Sequence, residues 1–373
     1  MIDASVTSKL IEGFANLGAG NVVMMLVGGV LIYLAIAKEY EPVLLLPIGV
    51  GAILANLPAT TFHEADGLFT VLYDAGIRNE LFPLLIFIGV GAMTDFGPLL
   101  ERPYTVILGA AAQFGIFGTL LVATLMGFNI KEAASIGIIG SADGPTSIYV
   151  SSILAPHLLA PIAVAAYSYM SLVPIIQPPI IRMLTTKAER AIPMPYTTKP
   201  VSKRTKMLFP IVTTLVCGLI APMSAPLIGM LMFGNLLREA GVVERLSNAA
   251  QNELINIVTI FLGVTIGSTM VADKFLTPQT LMILGMGLVA FALDTVAGLS
   301  FGKALSIITG GRVNPLIGAS GISAFPMSAR VINKVGLEAN PNNFLIMHAM
   351  GSNTAGQIGS VMAGGAVLAL LAR

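Results

Sequence analysis

Residues 133–152 read AASIGIIGSADGPTSIYVSS. The stretch is apolar enough for a membrane, yet a carboxylate, Asp143, stands in its middle, flanked by Ser141, Thr146 and Ser147. Gly140, Gly144 and Pro145 break any continuous helix there, because glycine frees the backbone to turn and proline removes a donor. Irregular backbone at membrane depth is tolerated only where protein or a polar cavity surrounds it. The stretch therefore predicts a re-entrant or discontinuous hairpin inside a helical membrane protein.

The rest of the chain supports that solvent. Of 373 residues, 55% are hydrophobic and only 10% charged, where a soluble domain carries roughly a quarter charged residues. So few charges cannot cover a water-exposed surface of this size. The net charge of +1 gives no acidic or basic imbalance for nucleic acid. The single cysteine, Cys217, excludes an intrachain disulfide. A span needs about 20 apolar residues. Candidates are 17–37, 43–57, 82–96, 104–128, 158–181, 207–221, 225–237, 254–271, 281–300 and 344–371. The expectation is an all-α polytopic protein of about 9–11 spans, sited in the cell (inner) membrane. Residues 1–13 are polar and mixed in charge, and do not read as a cleaved export signal.

A second broken stretch, 304–329, is ALSIITGGRVNPLIGASGISAFPMSA. EAASIGIIGSAD at 132–143 lines up with KALSIITGGRVN at 303–314, and IFIGVGAMTD at 86–95 with IFLGVTIGST at 260–269. In that register Asp143 falls opposite Asn314. An odd number of spans between the copies gives them opposite orientation, and inverted repeats with broken segments meeting near the midplane are a transporter signature. The orientation depends on whether 207–237 is two spans or one. The chain divides into N-terminal spans and a linker (1–80), a first repeat (81–181), a basic loop with connecting spans (182–250) and a second repeat (251–373). Between 182 and 206 seven Lys and Arg residues, Lys199 among them, face one acid, Glu189. By the positive-inside rule that loop is cytoplasmic.

An ionisable group in an apolar span marks a functional site. Carboxylate, hydroxyl, amide and carbonyl oxygens are the ligands of hard cations. Asp143 with Asn314 gives an oxygen site of one negative charge, suited to a monovalent cation. Gly318 and Ser323 belong to the same second hairpin, and Ser141 and Thr146 to the first. Asp143 is also placed to cap a half-helix. Arg330 closes the second hairpin and offers a planar fork to a carboxylate; snorkelling to the interface is the alternative. In AYSYMSLVPIIQPP, 166–179, Tyr169 is an intramembrane hydroxyl for ligation or proton relay, or else an interfacial tyrosine. Asp294 is a weaker candidate. Asn353, Thr354 and Gln357 in GSNTAGQIGS, 351–360, form another polar cluster, with helix packing as an equal alternative. The chain has no Walker A loop, HExxH or cysteine cluster.

GSADGPTSIYV, AYSYMSLVPIIQPPI and GGRVNPLIGASGISAFPMSARV resemble the beta subunits of sodium-ion-translocating biotin-dependent decarboxylases, the family of oxaloacetate, methylmalonyl-CoA and glutaconyl-CoA decarboxylase pumps. The resemblance covers the chain from about residue 17 on. It implies decarboxylation of carboxybiotin coupled to outward Na+ transport, with a proton consumed. It implies sodium and proton coupling by Asp143 and Tyr169, with Asn314, Gly318, Ser323 and Arg330 as second-half counterparts. The partners implied are a biotin carrier subunit, a carboxyltransferase alpha subunit and a small single-span membrane subunit. The first motif has Ser141 where the family often has glycine, a conservative departure. The missing N-terminal extension of some oxaloacetate-type members leans toward an acyl-CoA pump, methylmalonyl-CoA first. From the residues alone, a sodium-coupled organic-anion carrier fits equally well.

Overall fold

A computed structural model describes residues 12–194 and 201–372; Lys199 and most of the 1–13 segment lie outside them. Among the described residues every regular element is helical. The first half comprises α1 (Ala19–Ala37), α2 (Pro42–Ala55), α3 (Leu68–Leu72), α4 (Leu81–Met93), α5 (Gly97–Glu101), α6 (Thr105–Ala112), α7 (Phe114–Leu125), α8 (Ile130–Gly137), α9 (Gly144–Leu154), α10 (Leu159–Ser171) and α11 (Val173–Leu184). The short α12 (Lys187–Arg190) leads to the second half. That half comprises α13 (Lys203–Ile220), α14 (Ala225–Ala240), α15 (Glu244–Ala249), α16 (Ile255–Ser268), α17 (Ala272–Phe275), α18 (Pro278–Ile308), α19 (Leu316–Ala319), α20 (Met327–Ala339) and α21 (Ile346–Leu371).

Five helices are long and apolar enough to cross a bilayer, or seven when two bent pairs are each taken as one span. The multi-pass membrane architecture expected from composition is thus present. Their outer faces carry exposed Leu26, Leu121 and Ile307, as a lipid solvent allows. The segment 207–237 is two helices, α13 and α14, packed on each other. The predicted span 158–181 is instead α10 and α11, bent by 66° just after Ser171, ahead of Pro174. The 31-residue α18 is about 46 Å long at the usual rise.

The repeat is visible as paired contacts. Helix α2 of the first half packs on α16 of the second, and α4 of the first half on α14 of the second. Both contacts need a glycine at the crossing: a methyl group at Gly267 would run into the Ile48 carbonyl, and one at Gly91 into the Leu231 carbonyl. Each crossing is tied by an asparagine amide reaching past the partner helix. Asn56 Nδ2 donates to the Met270 carbonyl at 2.8 Å and Asn235 Nδ2 to the Thr94 carbonyl at 2.9 Å. A π-type turn precedes both α4 and α16, at Tyr73–Ile77 and Ala250–Leu254.

The register of the two hairpins differs from the sequence alignment. Residues 304–308 complete α18 rather than open a hairpin. The second hairpin is α19, an irregular tip over residues 320–326, and α20. The matching units are therefore α8–tip–α9 and α19–tip–α20. Pro145 corresponds to Pro326, and Asp143 falls opposite Ala324 rather than Asn314. Repeated Ser, Ile and Gly in apolar sequence had favoured the shorter offset.

Candidate functional site in the hairpin cavity

The first hairpin is built by local rules. Asn129 caps α8, its Oδ1 accepting from the Lys131 and Glu132 amides, while Glu132 accepts from the Asn129 amide. The helix tightens into a 3-10 turn at Ile138–Ser141. Ala142, at φ +56°, then reverses the chain. Asp143 is extended and caps α9, its Oδ1 accepting from the Thr146 amide at 3.2 Å. Its Oδ2 accepts from Ser360 Oγ of α21 at 2.7 Å. Asp143 is 8% exposed. Capping and ion binding are compatible, because a carboxylate has lone pairs beyond these two bonds.

The two tips touch. The Ser323 amide donates to the Ser141 carbonyl at 3.0 Å. Helix α21 braces the second tip: Asn353 Nδ2 donates to the Ser320 and Ile322 carbonyls, and Ser323 Oγ to the Gly356 carbonyl. From the other side Gln177 of α11 donates to the Ala319 carbonyl and accepts from Ser328 Oγ. Asn353, Gln357 and Ser360 follow one another at helical spacing along the face of α21 that meets the hairpins.

Beside the tips lies a cavity of about 300 Å³, lined by Asp143, Tyr167, Ser323 and Gln357, with Glu41, Gln251, Asn256 and Thr259 farther round and Phe87, Val90 and Ile255 as apolar wall. Tyr167 is 1% exposed, and its ring packs so tightly on Gly144 that a methyl group there would overlap it. Of the oxygens lining this cavity, Tyr167 Oη and Gln357 Oε1 are buried without a hydrogen-bond partner. Buried polar atoms are ordinarily paired. Two orphan oxygens beside one carboxylate, with Ser323 Oγ on the same wall, are the donor types that hold a hard monovalent cation. Among the described residues no three His, Cys, Asp or Glu side chains gather as a metal cluster.

Other expected residues lie elsewhere. Tyr169 does not line the cavity: its Oη donates to the Leu284 carbonyl of α18 at 2.6 Å, and its ring contacts Phe291. Asn314 is not paired with Asp143. Its Nδ2 donates to the Arg190 and Ile192 carbonyls at 3.0 and 2.8 Å, and its Oδ1 accepts from the Leu316 amide. It anchors the base of the second hairpin. Gly318 is a packing position, its Cα set against Gly298 of α18. Ser141 Oγ bonds within its own turn, to the Ile138 carbonyl. Arg330 is exposed on α20 and does not line the cavity. Asp294 is fully buried in α18, its carboxylate set against the backbone of Gly115 and Gly140.

Sequence reasoning missed Tyr167, Ser360 and Glu41. Tyr167 and Tyr169 stand about 200° apart on a helix, so only one can face the hairpins. Every residue from Leu159 to Tyr167 is buried, so the burial pattern marks no single face and no sequence signal separates the two tyrosines.

The family model for the Na+-transporting oxaloacetate decarboxylase beta subunit matches residues 20–371. The chain is 56% identical over 360 residues to the glutaconyl-CoA decarboxylase subunit beta of Acidaminococcus fermentans, covering 96% of each. It is 55% identical over 360 residues to the methylmalonyl-CoA decarboxylase subunit beta of Veillonella parvula, covering 96% of this chain and 95% of that one. To the oxaloacetate decarboxylase beta chain of Klebsiella pneumoniae it is 50% identical over 417 residues, covering 95% and 96%.

Proposed function

The chain belongs to the Na+-transporting decarboxylase beta-subunit family and is the membrane subunit of a decarboxylase sodium pump, and on that premise we propose which of its residues carry the coupling. Sodium binds at Asp143, with Gln357, Ser323 and Tyr167 completing an oxygen shell. The observation that carries this is the pair of unpartnered oxygens, Tyr167 Oη and Gln357 Oε1, that line the cavity of one carboxylate. Asn314 supports the second hairpin from its base rather than touching the ion.

The energy source is decarboxylation of carboxybiotin presented by a biotin carrier subunit, which a carboxyltransferase alpha subunit loads; a small single-span subunit completes the complex. Carboxybiotin loses CO2, and the ring nitrogen left behind takes up a proton. Arg330 is exposed and free to meet the carboxylate at the surface, apart from the Asp143 charge that would repel it. Tyr167, inside the cavity, fits proton relay better than Tyr169, whose hydroxyl is committed to α18. Transport requires that sodium and carboxybiotin favour different states of the hairpins. The acyl substrate of the complex is an acyl-CoA, methylmalonyl-CoA in our reading. In support, the acyl-CoA relatives cited align over 360 residues where the Klebsiella oxaloacetate relative needs 417.

The test is CO2 release from carboxybiotin by the purified chain in vesicles, with and without sodium. Release should need sodium, should be faster from carrier-bound than from free carboxybiotin, and should not occur from an acyl-CoA or keto acid. Sodium-dependent uptake of a dicarboxylate with no effect on carboxybiotin would favour an organic-anion carrier instead.

A further inference from the structure

Glu41 opens α2, at the end of a turn in which both Glu39 (φ +54°) and Glu41 (φ +37°) are left-handed. Such backbone is costly for residues with a side chain. It brings the Glu41 carboxylate to the wall of the cavity that holds Asp143. Glu41 is partly buried. Among the described residues its carboxylate has no hydrogen bond or ion pair, and it makes no side-chain cap on α2. The same cavity is lined by Gln251, in the Ala250–Leu254 turn, and by Asn256, in the first turn of α16. Tyr167 lines the same cavity and is within electrostatic reach of both Glu41 and Asp143.

The cavity reaches Val90 and Met93 at the end of α4. Just beyond, Asp95 pairs with Lys206 at 3.4 Å. This mouth therefore lies at the end of the molecule that carries the basic loop. A partly buried, unpaired carboxylate is expensive unless a counter-charge visits it. An acid near the N-terminus of α2 also gains from the helix dipole, so a structural role must be told apart by experiment. Low-dielectric walls focus the field of a lone charge and concentrate counter-ions in a cleft.

We propose that Glu41, with the side-chain oxygens of Gln251 and Asn256, forms an outer station for a monovalent cation, from which sodium passes Tyr167 to reach Asp143. The station rests on the reading of Asp143 as the sodium site. Its function is capture from dilute solution; Asp143 supplies the state-dependent binding.

The experiment is the initial decarboxylation rate of the complete complex in vesicles, titrated with NaCl at low ionic strength. Glu41→Gln should raise the half-saturating sodium concentration about 3- to 10-fold, the order expected for losing one charge from the wall of the cavity. The rate at saturating sodium should stay within about twofold of wild type. Choline chloride should shrink the difference, because salt screens the attraction. Glu41→Asp, which keeps the charge, should show a smaller rise, and serves alone if Glu41→Gln fails to assemble. A purely structural Glu41 would lower thermal stability and saturated rate while leaving half-saturation unchanged, and that result overturns the proposal. So does half-saturation equal to wild type in both variants. A wild-type rate indifferent to sodium would instead refute the pump reading itself.

Discussion

At the residue scale the assignment turns on two tyrosines two positions apart. Tyr167 reaches the Asp143 cavity with an unpaired hydroxyl, while Tyr169 spends its hydroxyl on the Leu284 carbonyl. Removing each hydroxyl should therefore have different consequences. Tyr169→Phe loses one hydrogen bond, worth about 1 kcal/mol of stability, and should keep most sodium-stimulated turnover. Tyr167→Phe leaves the core intact but takes an oxygen from the cavity, and should lower apparent sodium affinity about tenfold or slow turnover comparably. Sodium titrations of the two variants side by side check this; equal effects, or a loss confined to Tyr169→Phe, would count against the cavity. Asp143 was legible because a carboxylate in an apolar run has few structural excuses. Tyr167 was not, because periodicity alone does not say which face of α10 meets the hairpins. Ser360 was hidden for a related reason: its contact with Asp143 spans 217 positions.

At the scale of elements, broken helices were legible from Gly, Pro and polar residues, and their register was not. The first hairpin lies within two or three residues of the predicted stretch, since Asn129 and Glu132 mark its start and Asp143–Gly144–Pro145 its turn. The second was expected ten residues too early, because α18 continues through Ile308 without a break signal. Its true base is Asn314, which the sequence marked as functional and the structure uses as an anchor. The two tips meet through one backbone bond, Ser323 amide to Ser141 carbonyl. That closeness puts their Cα atoms within disulfide range, about 4.4–6.8 Å. With Cys217 replaced by alanine, the pair Ser141→Cys and Ser323→Cys should cross-link on mild oxidation. Sodium transport should stop while linked and recover on reduction. No cross-link, or full transport in the linked form, would contradict a working contact between the tips.

At the scale of the whole molecule, two similar halves cross at α2 with α16 and at α14 with α4, and present their hairpins to each other. For tips to meet while both hairpins remain in the membrane, they must enter from opposite faces. The second hairpin enters from the face of the 182–206 loop, since Asn314, Asn340 and Asn343 all bond the Arg190–Ile192 stretch or its neighbours. The cavity opens on that same face, which the positive-inside rule makes cytoplasmic. Under the proposed site assignment, the route of sodium to Asp143 in this conformation starts at the cytoplasmic face. The central claim is that one carboxylate couples decarboxylation to sodium movement, and radioactive sodium flux into inside-out vesicles bearing the complete complex, scored beside CO2 release, tests it most directly. Asp143→Asn should insert and assemble, since removing an intramembrane charge favours insertion, yet show neither sodium flux nor sodium-stimulated CO2 release. An assembled Asp143→Asn complex that pumps sodium at the wild-type rate would contradict the account.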